Sequence, residues 1–319
     1  MRIPSLAILP VCKRRVENSL SIVIATSGRL EKLGRLLEGL YQVRGWERSN
    51  HEIIIANNAP DEAGGKAVED LVREYSRRAG PRCRQVREPV PGKCRAQNRA
   101  IRQAGGSILA FFDDDLEVDP HWLEAVLNFF SIFPHDVMQG SILMHPEDRN
   151  DARLKEALQR YRTIDFIDYG YAPGTDIRTL TGGNIAVKRE VFDQAGMFNE
   201  RLGPGEAGIS EDVEFAKRLL RAERRIGYEP RAIVYNEVDW SRLTEEFFRF
   251  RHEQQGRSRL VYKKNSVLTI IPNLMRSIWT FGWYSLVGNE RRKYRAKGRY
   301  YHYRAMLREK TKWLGGISM

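Results

Sequence analysis

Three cysteines in 319 residues, Cys12, Cys83 and Cys94, are too few and too scattered for a disulfide framework or a zinc site, and they suit a reducing compartment. No internal repeat or low-complexity tract interrupts the chain. At the amino terminus no basic segment leads into an unbroken apolar core, because Pro4, Pro10 and the run Cys12 to Arg15 divide it, which argues against a secretion signal. The long apolar stretch Val267 to Leu286 contains Pro272, Asn273 and Arg276. An arginine near mid-span costs about 3 kcal/mol, so this stretch argues against a membrane-spanning helix. Nor does a glycine-rich, basic loop follow the first apolar run, where the chain reads ATSGR.

A hydrophobic content of 42% is enough to build a core, and the length fits one large α/β unit with an appended segment, or two small domains. Lys and Arg number 53 against 41 Asp and Glu, a net charge of +12. Much of the surplus is local: Glu290 to Lys312 holds ten Lys or Arg and two Glu, while the rest of the chain is mildly basic. Such a tail serves nucleic acid or an anionic membrane surface, and charge alone does not choose between them.

Apolar runs at Leu20 to Ala25, Glu52 to Ala56, Ile108 to Phe112, Val137 to Met144, Ile185 to Val187 and Ile233 to Val238 read as strands, with a further short strand near Arg84 to Arg87. Helical spacing fills Arg29 to Tyr41, where Leu30, Leu33, Leu37 and Leu40 recur, and then Gly65 to Arg78, Lys93 to Ala104 and Trp122 to Phe133. Ser210 reads as the cap of a helix over Glu211 to Arg221. This alternation predicts a doubly wound, mostly parallel sheet with helices on both faces. Helices follow from Leu243 onward, so a soft boundary near residue 240 separates a domain of residues 1–240 from a helical, basic extension of residues 241–319.

The densest chemistry lies in SILAFFDDDLEVDPHWL, Ser107 to Leu123. Ile108 to Phe112 reads as a strand buried on both faces, which would deliver Asp113, Asp114 and Asp115 to the carboxyl edge of the sheet, where open α/β folds place ligands. Adjacent carboxylates repel unless a cation sits among them. If the chain stays extended, Asp113 and Asp115 face one way, and together they could hold Mg²⁺ or Mn²⁺ whose shell a diphosphate completes. The alternative is a merely acidic loop. Asp119 and Pro120 read as the cap and first turn of the helix that follows.

In chain order, SIVIATSGR, IIIANNAP, EPVPGKCRAQNRAI, FFDDDLEVDPHWL, TGGNIAVKREVF and SEDVEFAKRL followed by RLTEEFFRFRHEQQGRSR resemble a family 2 glycosyltransferase with a GT-A fold, over roughly residues 19 to 260. The resemblance implies transfer of a sugar from a nucleotide diphosphate donor to an acceptor hydroxyl, with inversion. By position it implies that Thr26, Ser27 and Arg29 meet the donor's base and ribose. Asn57 and Asn58 stand where the family commonly has a base-binding aspartate. Lys93, Arg95 and Asn98 flank the diphosphate, at a helix start that itself favours anions. Asp113 and Asp114 match the donor-facing part of the acidic motif and Asp115 its metal ligand. Asn236 stands where many relatives carry a metal-approaching histidine. Gly182, Gly183 and Asn184 line donor sugar and acceptor, and Trp122, with His121 and Trp240, could line an acceptor groove. Glu211 and Asp212 match the acidic pair whose aspartate is the general base, and a helix start would keep Asp212 ionised at neutral pH. Gly203 to Gly208 reads as a lid.

The expected acceptor is a saccharide or a lipid-linked one, in cell-surface polysaccharide or glycolipid assembly, and the cysteines and the basic extension suggest the cytoplasmic side. An enzymatic rival, a sugar nucleotidylyltransferase, is expected to show the glycine-rich basic loop that ATSGR lacks. A non-enzymatic rival is a nucleic-acid-binding protein using Tyr294, Tyr300, Tyr301 and Tyr303 as stacking platforms. For the extension itself, Leu274, Ile278 and Phe281 on one face, with Trp279, Trp283 and the basic tail, suit peripheral binding at the inner face of a membrane. The alternative is a helical pair packed on the core with a solvated basic face.

Overall fold

The computed structural model describes residues 19–46, 51–79, 82–205 and 208–315. The amino-terminal run with Cys12 lies outside them, as do two residues of the glycine loop.

One sheet organises the described chain. Its strands are β1 (Leu20–Thr26), β2 (Glu52–Asn57), β3 (Cys83–Arg87), β4 (Ile108–Asp113), β5 (Leu116–Val118), β6 (Val137–Met144), β7 (Thr175–Asp176), β8 (Ile185–Lys188) and β9 (Ile226–Asn236). They lie in the order β3-β2-β1-β4-β8-β6-β9-β5, with β7 pairing β9. The pairs β1 with β2, β1 with β4, β2 with β3 and β6 with β9 are parallel, while β8 enters antiparallel between β4 and β6.

Successive side chains of a strand point to opposite faces, and the central strands fill both. Ile22, Ile24, Ile53, Ile55, Ala110 and Phe112 join one core, with Leu33, Leu37 and Leu40 of helix α1 (Leu30–Gln42), Val68 and Val72 of α2 (Glu62–Ala79), and Trp122 and Phe129 of α4 (Trp122–Ile132). Val23, Ile54, Leu109 and Phe111 join the other, with Cys94 and Ala100 of α3 (Lys93–Gln103), Phe192 of α6 (Glu190–Ala195) and Phe215 of α7 (Glu211–Arg221). A small core of Leu154, Ile164 and Leu243 unites α5 (Ala152–Arg160) with the start of the carboxyl-terminal helices. Leu243 therefore belongs to packing that crosses residue 240.

Three helices follow: α8 (Glu245–Tyr262), α9 (Val267–Leu286) and α10 (Glu290–Gly315). Helix α10 packs on α8, where Phe248 meets Tyr294 and Tyr301, and Tyr294 also meets Tyr161. Tyr294 and Tyr301 are thereby engaged in helix packing, which removes them as free stacking platforms.

Candidate active site

The carboxyl ends of β1 and β4 lie side by side, since Ala25 pairs with Asp113. Strand β4 ends at Asp113, and Asp114 and Asp115 form a turn before β5. The expected extended alternation therefore fails: Asp114 and Asp115 share one cation, Arg29, while Asp113 turns to Lys93.

On one side of the turn, Thr26 Oγ1 donates to the buried Asp114 at 2.5 Å, and Arg29 bonds Asp114 and, at 2.8 Å, Asp115. Arg242, which sequence reasoning missed, reaches Asp115 at 3.2 Å from a 3₁₀ turn over Trp240–Arg242. Its signal was present, because it opens the RLTEEF landmark. Asp115 is nearly buried, yet Arg29 and Arg242 overcome that desolvation and hold its carboxyl below the ordinary range. Asp114 moves the other way, because burial outweighs Arg29 and Thr26. Asn236 pairs in register with Leu116, next to Asp115 in sequence, and Ser27 is exposed.

On the other side, Lys93 Nζ lies 2.6 Å from Asp113 and 3.3 Å from Glu211. Burial opposes the lysine's charge, but Asp113 and Glu211 prevail and raise it well above its ordinary range. The amide of Gly182 donates to Asp212 Oδ2 at 2.8 Å, and that of Val213 to Asp212 Oδ1 at 2.7 Å. A Cβ on Gly182 would stand 3.5 Å from Lys93 Nζ, and one on Gly183, at φ +97°, 3.3 Å from Asp113 Oδ2, so both glycines border these charges. Asp212 does not keep the low value a helix start suggested. Burial first, then the neighbouring Glu211, push it up to about 7 against the two amides and Lys93. Ser210 also departs from expectation: it sits at φ 79°, and its side chain makes no cap bond.

Several expected ligand contacts are taken up by the protein itself. Asn57, fully buried, donates to the Gly65 carbonyl and Gln85 and accepts from the Ala59 amide. Asn58 clamps the next loop, donating to the Glu88 and Val90 carbonyls and accepting from Gly92. The Asn57 carboxamide, fully buried, is not presented to a base, while Asn58 is half-buried. Asn98 pairs with both backbone groups of Phe198, and Arg95 with Glu200, so these two fasten the 198–200 segment. The start of α3 is likewise covered, with the Lys93 amide donating to the Pro204 carbonyl. Asn184 and Trp122 are fully buried; the indole donates to Asn184 Oδ1 at 3.0 Å, and Asn184 donates to the Ser141 and Ala232 carbonyls. They hold the glycine turn from behind instead of lining an acceptor groove. Gln139, also missed, pins the same turn by accepting from Thr181 and donating to the Asn184 carbonyl. His121 and Trp240 are exposed.

Among the described residues, no three His, Cys, Asp or Glu converge to hold a metal ion by themselves. The nearly buried Asp115 is a hard oxygen donor, and the two guanidinium groups that already face it compete with any cation there. It fits a divalent cation that takes most of its remaining ligands from a diphosphate.

The doubly wound sheet sets an acidic turn beside a raised carboxylate at its carboxyl edge, where open α/β folds bind their ligands. The model for "Glycosyl transferase family 2" matches residues 21–196, and the chain belongs to that family. A pre-mycofactocin glycosyltransferase from Mycobacterium tuberculosis is 25% identical over 143 residues, 45% of this chain and 29% of that protein. Glycosyltransferase AglE from Haloferax volcanii is 21% identical over 203 residues, 63% of this chain and 61% of the relative. Chondroitin synthase from Escherichia coli is 22% identical over 236 residues, 66% and 33% of the two chains. The chain thus spans less than two thirds of each of these relatives. In fold it is similar to the mannosyltransferase PcManGT from Pyrobaculum calidifontis in complex with GDP-Man and Mn²⁺, with TM-score 0.54, 15% identity and coverage of 93% and 76%. It is also similar to S. aureus TarS, with TM-score 0.51, 16% identity and coverage of 84% and 44%. The GT-A type α/β fold expected from the sequence is the fold found.

Proposed function

We propose that this chain is an inverting glycosyltransferase that moves a sugar from a nucleotide diphosphate donor to an acceptor hydroxyl, with Asp212 as general base. The observation that carries the reading is the position of Asp212: its carboxyl, poised near pH 7, shares one cluster with Lys93, Asp113 and the Gly182 amide at the sheet's carboxyl edge. A base poised near the working pH is unprotonated often enough to act and basic enough to accept a proton. The acceptor oxygen bonds to the anomeric carbon on the face opposite the diphosphate, its proton passes to Asp212, and the diphosphate leaves with the electron pair of the broken C–O bond. Lys93 supplies positive charge beside that departure. Thr26, Ser27 and Arg29 take the nucleoside side, and Gly182 and Gly183 leave room for the sugar.

Asp115 would hold Mg²⁺ or Mn²⁺, with the donor diphosphate completing the shell. When bound, the ion neutralises charge on the leaving group. The acceptor in this reading is a saccharide carried on a lipid, and the work is done on the cytoplasmic side at the inner face of a membrane. Support for the compartment comes from the free, buried Cys83 and Cys94. Among the described residues no helix is long and apolar enough to cross a membrane.

The test is the Asp212→Asn variant with a panel of nucleotide sugars in Mg²⁺ and in Mn²⁺. Transfer should be lost while thermal stabilisation by the preferred donor persists. Full transfer by the variant overturns the assignment of the base.

A further inference from the structure

Helix α9 separates its side chains into two sets. Ile270 and Ser277 are buried and Leu274 and Phe281 half-buried on the side that packs on α10. Leu268, Ile271, Met275, Ile278, Trp279, Trp283 and Leu286 are exposed, Leu268 and Leu286 by 85% and 86% and Trp279 by 69%. At about 100° per residue these seven cover roughly 140° of the helix circumference, opposite the packed side. The face expected from sequence, Leu274 with Phe281, is therefore the covered one, because α10 follows after a short turn and folds back on it.

We propose that this exposed stripe of α9 lies on the surface of a bilayer containing anionic lipid. Solubility alone would place polar side chains at these positions, and a contiguous apolar face of this size marks an interaction surface. Charge selects the partner. No acidic residue occurs in α9; exposed Lys263 and Lys264 precede it, and after Glu290, which pairs with Lys293, exposed Arg291, Arg292 and Arg295 follow it. Both ends of the stripe are thus cationic, as a helix lying along an anionic surface requires. Trp279 and Trp283 are stacked, with ring centroids 6.3 Å apart, and aromatic rings of this kind settle at the headgroup level. Arg276 sits at the margin of the stripe, where its stem runs along apolar surface and its head reaches the phosphates. The helix is about 30 Å long and lies flat, since α10 occupies its other side.

This inference names the surface by which the proposed function reaches a lipid-carried acceptor, and its biological purpose rests on that reading. The binding itself does not. The experiment uses the full chain with vesicles of phosphatidylcholine, with and without phosphatidylglycerol, read by co-sedimentation and tryptophan emission. The chain should sediment with the anionic vesicles, shift its emission to the blue, and release as salt rises. Trp279→Glu with Trp283→Glu should weaken that binding at least about tenfold without changing the circular dichroism. Leu268→Gln with Met275→Gln, placed on the same stripe, provides a second variant should the first unfold.

Equal binding by the parent and both variants overturns the inference, as does no binding by the parent. A stripe that instead seats a second copy would give a concentration-dependent dimer in sedimentation velocity, lost in the same variants without any vesicle binding, and this too overturns it. Transfer to a soluble acceptor without vesicle binding removes this inference and leaves the proposed function standing. Vesicle binding without transfer does the reverse.

Discussion

At the scale of single residues, the site depends on how charges are paired. Asp212 must lose its proton to act, so kcat/KM should rise about tenfold per pH unit below roughly 7 and level off above it. A profile that is flat from pH 5 to 8 would remove Asp212 from the role. The same shift has a consequence for stability. Folded Asp212 holds its proton up to about pH 7, whereas the unfolded chain releases it near pH 4. Stability from this group is therefore present below about pH 4 and lost as pH rises through 7. Asp212→Asn keeps an acceptor for only one of the Gly182 and Val213 amides but no longer titrates, so its Tm relative to the parent should be higher at pH 8 than at pH 5. Arg242 poses a second question, since it and Arg29 both pair with Asp115. Arg242→Met should strengthen binding of Mn²⁺ alone several-fold in calorimetry, because the carboxylate loses a competing cation. An unchanged Mn²⁺ affinity would show that the pair does not compete with metal.

At the scale of elements, Asn184 links three pieces of chain. It accepts from the Trp122 indole of α4 and donates to carbonyls of Ser141 in β6 and Ala232 in β9. Asn184→Ala strands buried polar groups on each, at about 1–3 kcal/mol apiece, and should lower Tm by several degrees with transfer falling as the glycine turn loosens. A near-unchanged Tm would mean that water replaces the amide. Asn184 also shows what could be read beforehand and what could not. Strand positions followed from apolar runs, and Asp113 to Asp115 were legible because a run that buries both faces must end at a sheet edge. An asparagine's type announces that it will bond, but its partners come from distant strands, so Asn57, Asn58, Asn98 and Asn184 read as ligand contacts when they are struts. Trp122 misled in the same way, since burial is a property of the packed element. Strand β9 begins at Ile226, seven residues before its expected start at Ile233, because Arg231 and Pro230 masked an edge where β6 and β9 shift register. The short β5 and the tight acidic turn had no periodicity to reveal them.

At the scale of the whole molecule, the carboxyl-terminal helices do more than carry a basic surface. Ser258 of α8 is buried and accepts from the Ile209 amide at 3.0 Å, and Gly208, at φ +130°, lies so close to α8 that an added Cβ would stand 2.8 Å from Gln254 Oε1 and 3.0 Å from Ser258 Oγ. The segment leading into Glu211 and Asp212 is thus held by a helix that the sequence assigned to a separate extension. Packing continues through Gly256, whose Cα side faces the backbone of His302 in α10, so α8 is in turn held by α10. A chain ending at residue 240 should therefore lose transfer as well as any surface binding, which is why substitutions on α9, and not deletion, separate the two. Gly208→Ala puts a methyl group into α8 and forces a left-handed backbone on alanine. It should lower kcat at least about tenfold through misplacement of Asp212, with donor affinity on the Thr26 and Arg29 side nearly unchanged. If kcat stays at the parent level, α8 supports only its own packing, and the base is positioned by the Gly182 turn alone.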